Sequence, residues 1–336
     1  MDNHYRLPPY ELKAVTVPLS ETVDWSHKFL GIEDAWRHTK GAVNGKPLIC
    51  AVLDTGCDTD HPDLDGAILN AKDFTNSRFG AEDRHDHGTW CCGMIGARAG
   101  NNIGIRGIAP ECQIIVAKVL GDNGSGSDQS IAAGMQWAWD QGADFFSLSL
   151  GGRGMPAYLK DLFQQIVNDG KFIFAASGND GGPVNDPGAF GSTIGVGSVD
   201  KSGVISKFTS RGPQLDILAP GEDMLSTIGD GQFGEMTGTS MATPAACAVG
   251  MLAYAKHEQD GSDTDLKNND QMREHLKRTS VKTGEYGLIS PENLMDEHGK
   301  PDDATVGNEP TFSIGPLKIK WPVTHEGNTG GFLWIG

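Results

Sequence analysis

A chain of 336 residues with 38% apolar content, 46 glycines and 17 prolines can bury one large core and is too apolar to stay disordered, so it reads as a globular protein rich in tight turns. Its formal charge of −17 argues against a phosphate-binding face, and hence against nucleic acid as a partner, and no apolar run is long enough to cross a membrane. Such acidity suits solubility, cation binding or attraction of basic substrates.

The first residues lack a basic stretch followed by an apolar one, which predicts no secretory signal. Residues 1–24 are polar, with Leu7, Pro8, Pro9 and Tyr10 at their centre and Glu11 behind them. Two prolines forbid a helix interior and predict an extended segment. A short helix is predicted at 32–37. From Pro47 the rhythm changes. Residues 48–53 form a continuous apolar run that stops at Asp54-Thr55-Gly56, the pattern of a strand buried on both faces. Similar runs at 113–119, 145–150, 172–176 and 194–199 alternate with helix-like segments at 88–97, 128–141 and 157–168. This predicts an α/β fold of three αβα layers, a mostly parallel central sheet between helices joined by right-handed crossovers. Reactive groups in such sheets gather at the carboxyl ends of strands. Asp54, Ser149 and Asn179 fall at or just past such ends. A Gly-rich polar run then closes with Gly238-Thr239-Ser240-Met241-Ala242-Thr243-Pro244 and opens into an Ala-rich helix through 255. Beyond Lys256 the chain turns hydrophilic, with a helix predicted at 270–278 and a closing turn and helix at 284–295. Residues 299–336 form a Pro- and Gly-broken tail with strand-like pieces at 317–321 and 332–335, available to cover an edge or to join a homodimer. The cysteines at 50, 57, 91, 92, 112 and 247 include no C-x-x-C pair and read as reduced, mostly buried thiols, which fits a cytoplasmic protein.

Ser240, placed at a helix N-terminus, has the chemistry of a nucleophile whose own N–H can hold an oxyanion. It would need a base to take its proton and an acid to orient that base. His87, in His85-Asp86-His87-Gly88-Thr89, and Asp54 supply those types. Each also has a plainer reading: a helix cap for Ser240 and His87, a turn residue for Asp54.

Three separated blocks resemble the signatures of subtilisin-type serine proteases: Ala51-Val52-Leu53-Asp54-Thr55-Gly56, His87-Gly88-Thr89, and Gly238 to Pro244. The order Asp, His, Ser is the one by which subtilisins are known and is no independent deduction. Two further blocks, Ser147-Leu148-Ser149-Leu150-Gly151-Gly152 and Ala175-Ala176-Ser177-Gly178-Asn179, resemble the family's substrate-pairing strand and its oxyanion-hole segment. The resemblance implies a catalytic domain over residues 25–298, an Asp54–His87–Ser240 triad with Asn179 as oxyanion donor, and protein or peptide substrates. Gly124, Ser125 and Gly126 on one side and Ser149, Leu150 and Gly151 on the other would clasp an extended peptide. Asp180 and Asn185 would sit at the rim and floor of the main specificity pocket, and Asp128 near an outer one. Asp63, Asn101 and the backbone at Ala99, Ile103 and Ile105 match the family's structural Ca2+ site. Leu7, Pro8, Pro9, Tyr10 and Glu11 resemble a motif of intracellular subtilisins whose arm lies across the cleft and blocks it until removed. The chain departs from the pattern at Trp90 and at Ala245-Ala246, where most relatives carry His and His-Val. Cys91, one turn after His87, falls where some members carry a cysteine, which predicts inhibition by mercurials that modify it beside the imidazole. Two rivals stay open here: a metal-dependent hydrolase using Asp54, Asp58, Asp60, His61, Asp63, His85 and His87, and a peptide-binding relative without catalysis.

Overall fold

The structure, a computed structural model, describes residues 4–7, 10–15, 20–261, 266–295, 311–314 and 317–320. The N-terminal arm holds β1 (His4–Arg6) and β2 (Glu11–Val15); α1 (Trp25–Leu30), α2 (Ile32–Ala35) and a small hairpin of β3 (Ala42–Val43) and β4 (Lys46–Pro47) lead to β5 (Ile49–Asp54). Then come β6 (Ile68–Asp73), α3 (His87–Gly96), β7 (Gln113–Lys118), β8 (Ser125–Ser127), α4 (Asp128–Asp140), β9 (Phe145–Leu148), α5 (Ala157–Asn168), β10 (Phe172–Ala176) and β11 (Ile194–Val199). The rest comprises β12 (Ile217–Pro220), β13 (Met224–Ile228), β14 (Gln232–Thr237), α6 (Thr239–Asp260), α7 (Asn269–Thr279), β15 (Val281–Thr283), β16 (Tyr286–Leu288), α8 (Pro291–Met295), β17 (Thr311–Ile314) and β18 (Leu317–Lys320).

A nine-stranded sheet runs in the order β15-β16-β12-β11-β10-β9-β5-β7-β6. Its neighbours are parallel except the β15–β16 hairpin. The apolar runs become its centre because alternate residues leave opposite faces and both faces are covered. Cys50, Val52, Phe145, Phe172 and Phe174 join the core that includes α3 and α6. Ala51, Leu53, Phe146 and Ile173 join the core that includes α4 and α5. α3 is buried along its whole length, as a helix without a polar face must be. α5 instead buries one stripe, Leu159, Phe163, Ile166 and Val167. The α/β sandwich expected from the sequence is therefore the fold.

The elements that escaped the sequence reading include polar ones such as β6 and short buried ones such as β12 and β13. β6 is an edge strand with no buried residue, and β13 and β14 pair in a separate sheet with β2. Residues 284–295 are not a turn and helix alone: they finish a hairpin around Gly284 before reaching α8. β9 stops at Leu148, so Ser149 and Leu150 lie past the strand rather than within it. In the tail, β17 pairs with β18, while 332–335 lies outside the described residues. All six cysteines are unbridged and buried. No helix among the described residues is long and apolar enough to cross a membrane.

Candidate active site

β5 is flanked by β9 and β7, so Asp54 ends a strand inside the sheet and not at its edge. The Asp54 side chain is fully buried, and its Oδ1 accepts from the Thr55 N–H at 2.7 Å and meets His87 Nδ1 at 2.8 Å. His87 opens α3. A network the sequence reading did not foresee sets its place. The buried Asp83 accepts from Thr55 Oγ1 and the His85 N–H through one oxygen, each at 2.9 Å, and from the Thr89 N–H and Oγ1 through the other, each at 2.8 Å. Thr55 Oγ1 in turn accepts from the Gly88 N–H at 2.9 Å. Asp83 thus fastens the segment after β5 to the first turn of α3. Gly88 has to be glycine, because a Cβ there would stand 2.1 Å from the Gly56 carbonyl oxygen. The recoverable signal was a carboxylate four residues before His87.

Ser240 is the second residue of α6, where N–H groups lack intrahelical acceptors. Pro244 lies four residues on and has no N–H to offer the Ser240 carbonyl. That carbonyl is taken instead by Ser149 Oγ at 2.7 Å, and Ser240 Oγ donates back to the Ser149 carbonyl at 3.2 Å. Cys91 joins the groups together: its Sγ is 3.6 Å from Ser149 Oγ, 3.8 Å from Asp54 Oδ2 and 3.9 Å from the Ser240 carbonyl. Burial first, then the Asp54 charge, push this thiol well above its ordinary pKa. The structure thus joins Asp54 to His87 directly and brings Ser240 to the same cluster through Ser149 and Cys91. The Ser240 hydroxyl turns to Ser149, and the buried His87 Nε2 has no hydrogen-bond partner among the described residues. Asn179 Oδ1 accepts from the Thr239 N–H at 2.9 Å and Thr239 Oγ1 at 2.7 Å, which fixes the amide beside the start of α6.

The arm occupies the cleft. β1 runs antiparallel to β8 with Tyr5 opposite Gly126, and the Leu7 N–H donates to the Gly124 carbonyl at 3.1 Å. On the other side Arg6 exchanges backbone hydrogen bonds with Gly151 at 3.3 and 3.4 Å. Gly124, Ser125, Gly126 and Gly151 therefore hold an extended segment between them. The Tyr10 ring lies 5.0 Å from that of His87, and its hydroxyl meets His85 Nδ1 at 2.8 Å. β2 then continues the arm along β14. Pro8 and Pro9 lie outside the described residues.

Of the residues expected at the specificity pocket, Asp180 accepts from Ser210 Oγ at 2.5 Å and the Gly182 N–H at 3.0 Å, with Arg153 at 3.3 Å. The Ser210 hydrogen bond leads in lowering its pKa. Asn185 keeps a buried Oδ1 without a hydrogen-bond partner among the described residues. At the loop where calcium was expected, Asp63 is fully buried and accepts from Asn101 Nδ2 and the Ile105 N–H, each at 2.7 Å. Burial raises its pKa. Glu21, which the sequence reading passed over, accepts from the Gly100 N–H at 2.5 Å and pairs with Arg106. Among the described residues the only three His, Cys, Asp or Glu side chains converging on one point are Asp54, His87 and Cys91. Asp58, Asp60, His61, Asp63 and His85 do not join them, so the metal-hydrolase set does not assemble.

A model of the subtilase family matches residues 45–308. The chain is 36% identical over 291 residues to the major intracellular serine protease of Bacillus subtilis (strain 168), across 83% of this chain and 89% of the relative. It is 35% identical over 245 residues to an intracellular serine protease of Paenibacillus polymyxa, covering 69% and 74%. It is 36% identical over 252 residues to subtilisin Savinase of Lederbergia lenta, covering 75% and 89%.

Proposed function

The chain belongs to the subtilase family and is a subtilisin-type serine endopeptidase, and we propose that Ser240 is its nucleophile, His87 the general base and Asp54 the carboxylate that orients the base. The observation that carries this assignment is the Asp54–His87 contact at 2.8 Å, which occupies Nδ1 and leaves Nε2 without a partner among the described residues, beside the Ser240 cluster. With substrate bound, the Ser240 hydroxyl leaves the Ser149 carbonyl and gives its proton to His87 Nε2 as Oγ attacks the scissile carbonyl. Asn179 and the Ser240 N–H hold the oxyanion. His87 then protonates the departing amine, and a water deprotonated by His87 hydrolyses the acyl-enzyme. A serine-directed phosphonate is expected to label Ser240 by mass spectrometry, and Ser240→Ala to abolish casein turnover. Turnover that survives this substitution would remove Ser240 from the mechanism.

The arm of residues 1–24 is an inhibitor in this reading. It supplies the backbone pairing of a substrate and lays Tyr10 on the His87 ring. Pro8 and Pro9, between Leu7 and Tyr10, each lack an N–H and have a fixed φ, properties that disfavour a cleavable geometry. Deleting residues 1–20 is expected to raise peptidase activity; unchanged activity refutes the idea.

Structural calcium is common among subtilases, and Asp63, Asn101 and the backbone oxygens of Ala99, Ile103 and Ile105 would hold it here, with Glu21 nearby. The donors are the hard oxygens calcium requires. Gly104 suits the site, since a Cβ there would stand 2.2 Å from Asp63 Oδ2 and crowd the carboxylate. Bound calcium would supply positive charge that fixes the loop, with no part in the chemistry. The six unbridged thiols and two relatives named as intracellular support action in the cytoplasm on protein or peptide substrates.

A further inference from the structure

Tyr5 is fully buried although its strand has only three residues and its neighbour Arg6 is exposed. Its ring lies against Gly152, where a Cβ would come within 2.7 Å of Tyr5 Cδ1 and 2.9 Å of Cε1, so any other residue at 152 would close the slot. Leu120, Leu150 and Met155 belong to the same apolar cluster. At the polar end are two buried oxygens, Tyr5 Oη and Asp128 Oδ1, neither with a partner of regular hydrogen-bond geometry among the described residues. Burial leads in raising the Tyr5 pKa, and Asp128 is the first side chain to add to it. An unpaired donor and an unpaired carboxylate in one pocket satisfy each other with a small side-chain adjustment, and leaving both unmade is costly. Asp128 is the first residue of α4, whose N-terminus Ser127 and Ser130 cap, so the carboxylate is carried on a fixed element.

Resting on the peptidase reading above, we propose that this pocket selects tyrosine in substrates, with Asp128 accepting the phenol hydroxyl, and that Tyr5 of the arm occupies the place of that substrate residue. The backbone supports the substitution of one for the other, because β8 and Gly151 hold the arm by main-chain hydrogen bonds that any extended peptide can make. Phenylalanine fills the same apolar slot but leaves the carboxylate unpaired. A pocket built around a hydroxyl discriminates against the analogue lacking it far more strongly than an apolar pocket discriminates by size.

The test uses the full chain and pairs of peptides differing only in Tyr, Phe or Lys at one position, mixed and cleaved in competition. The ratio of products then reports the ratio of kcat/KM. The arm-blocked fraction cancels, since both peptides compete for the same open enzyme. Tyr peptides are expected to be cut at least about tenfold faster than Phe peptides, the value of one hydrogen bond to a charged group. The tyrosine should fall at a constant distance before the cut bond, and Asp128→Asn should shrink the ratio. A ratio of one overturns the proposal, and so does a lysine peptide that outpaces tyrosine, which would mean that the pocket reads charge. A second measurement needs no turnover. In the Ser240→Ala full chain, Tyr5→Phe is expected to speed amide exchange at Arg6 and Leu7 about tenfold, with no further increase in the Tyr5→Phe, Asp128→Asn double variant. Unchanged exchange in Tyr5→Phe overturns the Asp128 contact even if the chain cuts no peptide, a result that would fail the peptidase reading separately.

Discussion

At the scale of single residues the site depends on one missing hydrogen. Pro244 withholds the N–H that would close the first turn of α6, and Ser149 takes the orphaned Ser240 carbonyl. Ser149→Ala should therefore strand a buried carbonyl at a cost of about 1–3 kcal/mol. In a Pro244→Ala background the helix can reclaim that oxygen, and the cost of Ser149→Ala should fall below about 1 kcal/mol. Urea denaturation of the four proteins, all carrying Ser240→Ala to prevent self-digestion, measures the coupling; strictly additive costs would show that Pro244 plays no part. Cys91 gives a second prediction. Its thiol faces Asp54, Ser149 and Ser240, but burial and the Asp54 charge hold it protonated. A mercurial should therefore inhibit slowly, with loss of activity tracking modification of Cys91 by mass spectrometry. Full activity after complete modification would place the thiol outside the working site.

Between elements, the packing of α6, α7 and α8 carries a titration. His257 of α6 and His275 of α7 both point Nε2 at the Leu294 carbonyl of α8, at 3.2 and 3.3 Å, with their rings 5.0 Å apart. Arg278 donates to His275 Nδ1 at 2.7 Å, which requires that nitrogen to be unprotonated. Burial, helped by the His257 and Arg278 charges, holds His275 down to about 4 from 6.5. As pH falls below 6.5 the unfolded chain takes up a proton that the folded chain refuses until about 4, so stability present above 6.5 is lost across that window. The loss is on the order of 3 kcal/mol, about 1.4 for each pH unit of separation. His275→Gln keeps a donor for Leu294 and an acceptor for Arg278 without titrating. Its stability difference between pH 7 and pH 4.5 should be smaller than the parent's by about 2 kcal/mol; equal differences by chemical denaturation would refute the assignment. These contacts also mark the limit of sequence reading. The buried strands from β5 to β11 were legible because a strand covered on both faces is apolar at every position. β6 and β14 were not, since exposed positions break that pattern, and neither was β13, which is buried throughout but interrupted by Ser226 and Thr227. Asp54, His87 and Ser240 stood out as chemistry-bearing residues in recognisable blocks. Asp83 and Tyr5 did not, because their roles come from partners that only folding brings near: the Thr55 and Thr89 hydroxyls for one, Gly126 and Gly152 for the other.

Across the whole molecule the net charge of −17 makes each buried carboxylate a liability unless something offsets it. Asp54 and Asp83 are offset by a histidine and four hydrogen-bond donors respectively, but the side chain of Asp63 accepts, among the described residues, from the Asn101 amide and the Ile105 N–H against full burial. The loop it holds runs from the end of α3 toward β7 and meets the N-terminal segment before α1 through Glu21 and through Thr22, whose N–H donates to the Gly104 carbonyl at 2.7 Å. A divalent cation there would neutralise Asp63 and tie the N-terminal segment to the α3 side of the sheet, which would make calcium a term in global stability and not in the chemical step. Calcium at about a hundred times its Kd should add about 2.7 kcal/mol, enough to raise Tm by several degrees in a chain of this size. Because protonation of Asp63 competes with the ion and burial raises its pKa, the increment should shrink as pH is lowered. Asp63→Asn should remove it at every pH. Thermal scans of the Ser240→Ala chain in calcium and in EGTA separate this effect from self-digestion, and midpoints that coincide in the two buffers would exclude a folding role for calcium at this loop.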